Sequence, residues 1–223
     1  MPIFYQQDID QDTKVGIWKI EEEEDFFLKK VMPQRQVSHP HKKLQHLAGR
    51  YLLNYLYPGF PVELIQIADT RKPFLENEKY HFSIAHCGNY AAAIVSRVNR
   101  VGVDAEIISD KIMRIRSKFI SEEEEFVLNG PTSWLNEQED IATINNLAID
   151  TSLLTLVWSV KEAVFKWYGL GGLEFREHMM IKSIAAHTES QFEVVLLFKK
   201  NEELFLNLQV LFFGDLCLCY VLT

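Results

Sequence analysis

Two carboxylates stand where carboxylates are costly. Asp104 and Glu106 interrupt an otherwise apolar run, Val101–Ile108, that reads as a β-strand. Side chains two apart on a strand share a face and lie about 6.5–7 Å apart. Like charges that close repel one another and resist burial. Either a cation such as a divalent metal compensates them, or the strand lies at an edge with that face in water. A third carboxylate, Glu162, sits in Leu156–Gly172, LVWSVKEAVFKWYGLGG. Leu153, Leu156, Val157, Val160, Val164 and Trp167 repeat there at helical spacing. At about 100° per residue, Glu162 points almost opposite the centre of that stripe, with Trp158 and Lys166 beside it. A Glu162–Lys166 ion pair one turn apart, worth about 0.2–0.5 kcal/mol, is one reading. The other is that both charges answer partners elsewhere, because the apolar belt runs most of the way round the helix.

A basic region forms a separate chemical feature. Between Phe26 and Val62 there is no acidic residue, while Lys29, Lys30, Arg35, Lys42, Lys43 and Arg50 are present. In a chain of net charge −8 this is a local positive patch, suited to a phosphorylated ligand or an acidic partner. A solvated lysine-rich face is the plainer alternative.

The elements that must position these groups can be read from pattern. A strand around Val15–Ile20 precedes the acidic run Glu21–Asp25, which opens a helix that Pro33 stops. His41–Tyr57 is helical by its Leu44, Leu47, Ala48, Tyr51, Leu52, Tyr55 repeat and ends at Pro58-Gly59. Val62–Ala68, Phe82–Ala85 and Tyr90–Ser96 read as strands, the last two joined by His86-Cys87-Gly88-Asn89. Ser121 and Glu124 form a capping box opening a helix through Leu128. Thr132–Asp150 reads as a polar loop or irregular helix. Gly169 is placed to end the Glu162 helix in a left-handed cap. Strands follow at Met179–Ala185, Phe192–Phe198, Leu204–Phe213 and Leu216–Leu222. Helix-then-strands thus occurs twice, suggesting two α+β halves, 1–102 and 103–223, that share an interface near the Val101–Ile108 strand. A cleft between halves is a common ligand site.

Bulk properties narrow the class. The 223 residues are 48% hydrophobic and 24% charged, enough for a sizeable core. The acidic balance argues against a nucleic-acid binder. Cys87, Cys217 and Cys219 form neither a disulfide framework nor a zinc pattern, and the last two read as small core residues on a strand. No charged-then-apolar leader opens the chain and no apolar run approaches a membrane span, so a cytoplasmic, reducing setting is the expectation.

Three segments taken together carry a resemblance. They are Lys72-Pro73-Phe74 with Phe82-Ser83-Ile84-Ala85-His86, then Gly102-Val103-Asp104-Ala105-Glu106, then Trp158-Ser159-Val160-Lys161-Glu162-Ala163 with Lys166. The set resembles the 4′-phosphopantetheinyl transferase superfamily, in its monomeric surfactin-synthetase type, from about Pro33 to Gly172. The resemblance implies a pseudo-twofold pair of similar α+β halves with the site at their interface. It implies transfer of the 4′-phosphopantetheine arm of coenzyme A to a serine of an acidic acyl or peptidyl carrier protein, releasing 3′,5′-ADP. Asp104, Glu106 and Glu162 would hold Mg²⁺, a cation that favours hard oxygen ligands. Glu162 and Lys166 would be catalytic. Arg35, Lys42, Lys43, Lys72, His86 and Lys161 would bind coenzyme A, while Trp158 packs and Arg50 supports its helix. The chain departs from the family pattern at Arg71, at Ser83, Ala85 and Cys87, and at Leu170. Those departures lie around the nucleotide and motivate an alternative, a catalytically silent binder of coenzyme A or carrier protein on the same fold.

Overall fold

The structure, a computed structural model, describes residues 3–31, 37–129 and 151–223. Its residues fall into two compact units: Met1–Ala105 with Lys166–Leu170 and Leu222–Thr223, and Glu106–Phe165 with Gly171–Val221. Both are α+β.

The first unit begins with β1 (Ile3–Asp8), β2 (Thr13–Lys19), α1 (Glu24–Leu28) and α2 (Pro40–Leu56). A short 3₁₀ turn at Val62–Leu64, the two-residue strands β3 (Gln66–Ile67) and β4 (Pro73–Phe74), and the hairpin β5 (His81–Cys87) and β6 (Tyr90–Ser96) follow. Strand order in the sheet is β1-β2-β6-β5, antiparallel throughout. The period expected of α2 is the face it buries, with Leu47, Ala48, Leu52, Leu53 and Leu56 all within 1% of full burial. Opposite them, Ala91 and Ala93 keep β6 low, and the backbone of α2 comes close. A Cβ on Gly49 would stand 2.7 Å from Ile84 Cγ2, so only glycine fits that crossing. Trp18 closes one end of the core, its ring edge-on to Tyr51 at 4.9 Å and to Tyr55 at 5.4 Å.

Two local expectations are corrected here. Val62–Ala68 is not a strand: it turns through the 3₁₀ segment and pairs only at Gln66–Ile67, against Pro73–Phe74. Its alternation marks no buried face, since Leu64 is 54% and Ile67 51% exposed. Strand β1 was not foreseen, because Ile3, Phe4 and Tyr5 run together without alternation. It gains its register from β2 instead.

The strand β7 (Val101–Ile107) carries the chain from the first unit into the second. There the elements are α3 (Lys111–Ile115), a 3₁₀ turn at Arg116–Lys118, α4 (Glu122–Asn129), α5 (Thr151–Tyr168) and α6 (Phe175–His178). They are followed by β8 (Met179–Thr188), β9 (Gln191–Lys199), β10 (Glu203–Phe213) and β11 (Leu216–Leu222). The sheet order is β7-β11-β10-β9-β8, and the last four strands form an antiparallel meander. Cys217 and Cys219 are fully buried on β11 and not joined in a disulfide. The expected reading of 132–150 lies outside the described residues. Among the described residues no helix is long and apolar enough to cross a membrane.

Candidate functional site

The capping box forms as its sequence dictates: Glu124 N–H donates to Ser121 Oγ at 3.3 Å, and Ser121 N–H donates back to Glu124 Oε2 at 3.0 Å. Helix α5 is buried along Leu154, Leu156, Val157, Val160, Ala163 and Val164, with Lys161 and Ser159 buried as well. It ends where glycine permits a left-handed residue, Gly169 at φ +67°.

On β7, Asp104 is only 3% exposed. Its Oδ1 accepts a hydrogen bond from Lys166 Nζ at 2.6 Å, the ammonium supplying the counter-charge that burial demands. Its Oδ2 is also buried, and no donor among the described residues reaches it. A carboxylate oxygen without a donor in a dry place is an acceptor held ready for a cation or a donor from outside. Glu106, half-buried, accepts from the indole N–H of Trp158 at 3.2 Å. Trp158 also packs its ring edge-on against Phe119 at 5.2 Å and lies 5.4 Å from Phe175. Packing was expected of it; the hold on Glu106 was not. The signal was available, since a buried indole N–H needs an acceptor.

Lys161 is the surprise. Its side chain is 0% exposed, and its ammonium donates to Phe119 O at 2.6 Å, Glu124 Oε2 at 2.7 Å and Phe175 O at 3.2 Å. Three donors meet three acceptors, so the contact with coenzyme A expected of Lys161 is replaced by an internal one. Burial draws its pKa below the ordinary lysine value, with the Glu124 charge pulling the other way. Glu124 is saturated in turn, Oε2 accepting from Ser121 Oγ at 3.1 Å and Oε1 from Ile181 N–H at 2.9 Å. Glu162 and Phe165, the next residues toward the helix end that are not buried, are half-buried.

The last carbonyls of α5 are satisfied by cations, as the negative end of a helix dipole favours. Lys72 Nζ donates to Trp167 O at 3.1 Å, and Arg100 Nε to the same oxygen at 2.8 Å. A second Arg100 nitrogen reaches Tyr168 O, and Thr70 Oγ1 donates to Gly169 O at 2.8 Å. Arg100 stacks 4.8 Å from the Trp167 ring centre. Beside this cap is a cavity of about 510 Å³ lined by Lys72, Pro73, Tyr80, His81, Arg100 and Tyr168 among others. Burial, and then the neighbouring Arg100 charge, lower the pKa of Lys72 from 10.5 to about 8. Nothing local in the sequence marks Arg100 as the cap of a helix that ends 68 residues later.

The other expected nucleotide contacts gather elsewhere. His86, exposed, is the next-to-last residue of β5, five residues from the cavity's His81 and on the opposite face of the strand. The start of α2 lies against the turn after it: Gln45 Nε2 donates to Gly88 O at 2.8 Å, and His41 Nε2 is 2.9 Å from the same oxygen. Lys42 is exposed in that first turn, while Lys43 pairs with Glu24 at 2.5 Å. Arg35 lies outside the described residues. Arg50 is buried, with its guanidinium 3.0 Å from His46 Nδ1, the supporting role expected of it. Ser83 spends its hydroxyl accepting from Val103 N–H at 3.2 Å, pinning β5 to β7. Among the described residues no three His, Cys, Asp or Glu side chains are gathered as a metal-holding group. Asp104 holds Lys166 and Glu106 holds Trp158.

Comparison with known proteins agrees with the β7 and α5 motifs. The family model for the 4′-phosphopantetheinyl transferase superfamily matches residues 100–221, more than half of the chain. Enterobactin synthase component D of Salmonella typhi is 31% identical over 126 residues, 56% of this chain and 47% of that protein. The match thus spans about half the length of that relative. Asp104, Glu106, Lys161, Glu162 and Lys166 fall inside the family match; Lys42, Lys43, Lys72 and His86 fall before it.

Proposed function

Because this chain belongs to the 4′-phosphopantetheinyl transferase superfamily, we propose that it transfers the 4′-phosphopantetheine arm of coenzyme A to a serine of an acyl or peptidyl carrier protein. The observation that carries the proposal is Asp104: buried on β7 within the matched stretch, held by Lys166, with a second oxygen that no donor among the described residues reaches. An apolar strand keeps such a group for a ligand more readily than for stability.

In the reaction the serine Oγ attacks the β-phosphorus of the coenzyme A pyrophosphate. A new P–O bond to serine forms, the bond to the bridging oxygen breaks, and 3′,5′-ADP leaves. Asp104, Glu106 and Glu162 would hold Mg²⁺, and their all-oxygen donor set suits that hard cation, as does Asp104 Oδ2, which no donor among the described residues reaches. When bound, Mg²⁺ supplies Lewis-acid neutralisation of pyrophosphate charge. Lys166, whose side chain is 27% exposed, donates to the pyrophosphate and steadies the leaving group. Glu162 takes the serine proton, directly or through water, as a role secondary to holding the cation. Lys42, Lys43 and His86 with Arg35 bind phosphate groups of the nucleotide, and Lys72 lies toward its base. The partner is an acidic carrier, drawn by the basic 26–62 region, and the enzyme works as a monomer in the cytoplasm.

The test is to incubate the protein with coenzyme A, Mg²⁺ and several apo carrier proteins and weigh the carriers by mass spectrometry. Gain of one phosphopantetheine arm is expected. Coenzyme A binding without any adduct would favour a silent binder, and absence of both would sink the proposal.

A further inference from the structure

Lys161 and Glu124 form a sealed pair whose stability alone does not explain it. Both are fully or almost fully buried, at 0% and 1% side-chain exposure. Well-packed apolar residues in place of a buried ion pair are often neutral or stabilising, because desolvation of both charges is avoided. What an apolar pair cannot reproduce is direction. The three acceptors of the Lys161 ammonium come from Phe119, ahead of α4, from Glu124 within α4, and from Phe175 at the start of α6. Glu124 is itself fixed by Ser121 and by the Ile181 N–H of β8. A lysine held from three sides on one turn of a helix fixes how that helix is rotated about its axis.

Two groups of chemical interest ride on the same turn. Glu162 is the next residue, and Trp158, three residues before Lys161, donates to Glu106. A side-chain group roughly 6 Å from a helix axis moves by about 1 Å when the helix turns by about 10°. Misplacement by about 1 Å can cost about 10²-fold in rate. We infer that the Lys161–Glu124 pair is a rotational lock on α5, and that both are positioning residues which aim Glu162 and keep Trp158 on Glu106. The inference rests on the transferase reading for its kinetic consequence, but not for its structural one.

The experiment compares the wild-type protein with Glu124→Gln/Lys161→Met, which removes both charges, and with Lys161→Arg, which keeps the charge on a planar head unable to make three converging bonds. Melting temperature, kcat, KM for coenzyme A and the Trp158 indole N–H resonance, assigned through Trp158→Phe, are recorded for each. For the folded double variant the lock predicts a shifted Trp158 resonance and kcat lower by about 10–100-fold, with KM for coenzyme A nearly unchanged. Lys161→Arg should show the same two changes, smaller. A folded double variant with the wild-type resonance and wild-type kcat overturns the inference, as does a kcat loss no larger than its unfolded fraction. Should the double variant not fold, Lys161→Arg decides: an unmoved resonance with full turnover refutes the lock. If the wild-type protein modifies no carrier, the transferase reading has failed, and the Trp158 resonance alone decides the lock.

Discussion

Two lysines five residues apart on one helix meet their carboxylates in opposite ways. Lys161 and Glu124 are sealed from water, and every donor and acceptor of the two head groups is used. Lys166 is 27% exposed, and its partner Asp104 keeps an oxygen that no donor among the described residues reaches. A saturated pair is scaffold. A pair with a spare buried acceptor is a place for something else, and the chemistry is expected at Asp104 and Lys166, not at Lys161.

The sharpest way to break this contrast is to remove each ammonium in turn. Lys161→Met strands the Glu124 charge and should cost about 3–5 kcal/mol in chemical denaturation. Lys166→Met also strands a buried carboxylate, but water can take the place of an ammonium that is 27% exposed, so the loss should be smaller, about 1–3 kcal/mol. Equal losses would erase the distinction. Asp104→Ala tests the other side: carrier modification should fall by about 10²–10³-fold or more while the denaturation midpoint barely moves. A smaller effect follows from the helix end. Gly169→Ala forces a Cβ into a left-handed residue at φ +67° and within 2.1 Å of Lys72 Cδ, and should lower stability by about 1–2 kcal/mol in urea titration.

The smallest prediction concerns pH. The folded-state pKa of Lys72 is lowered from 10.5 to about 8, so between those values the unfolded chain binds the extra proton. The penalty for burying the ammonium is fully present below pH 8 and is relieved as pH rises toward 10.5, so this group makes stability rise over that window. Coenzyme A affinity should change the other way, weakening above about pH 8 as the ammonium discharges. Lys72→Met should remove both slopes, seen in melting and binding series. Slopes that survive the substitution would assign them to another group.

Much of the frame was legible because its signals are short-range. The α2 and α5 stripes, the Ser121–Glu124 box, the Gly169 cap and the β5–β6 hairpin each declare themselves within a few residues. The carboxylates of β7 were conspicuous for the same reason, as charges out of place on an apolar strand. Partners distant in sequence were not legible. Lys161 reads locally as a charged residue available to a ligand, and only Glu124, 37 residues earlier, turns it inward. Arg100 finds its carbonyls 67 and 68 residues on, and Trp158 its acceptor 52 residues back. The Val62–Ala68 alternation failed for the reverse reason, a strand-like pattern with no neighbouring sheet face to bury it.

Transfer by this protein should depend on a divalent cation. The protein is freed of divalent cations with a chelator, mixed with coenzyme A and apo carrier proteins, and split into samples with and without added Mg²⁺. Mass spectrometry of the carriers should find the phosphopantetheine arm only where Mg²⁺ was restored. Full-rate modification without the cation would contradict the role given to Asp104, and no modification of any carrier in either sample would contradict the transferase itself.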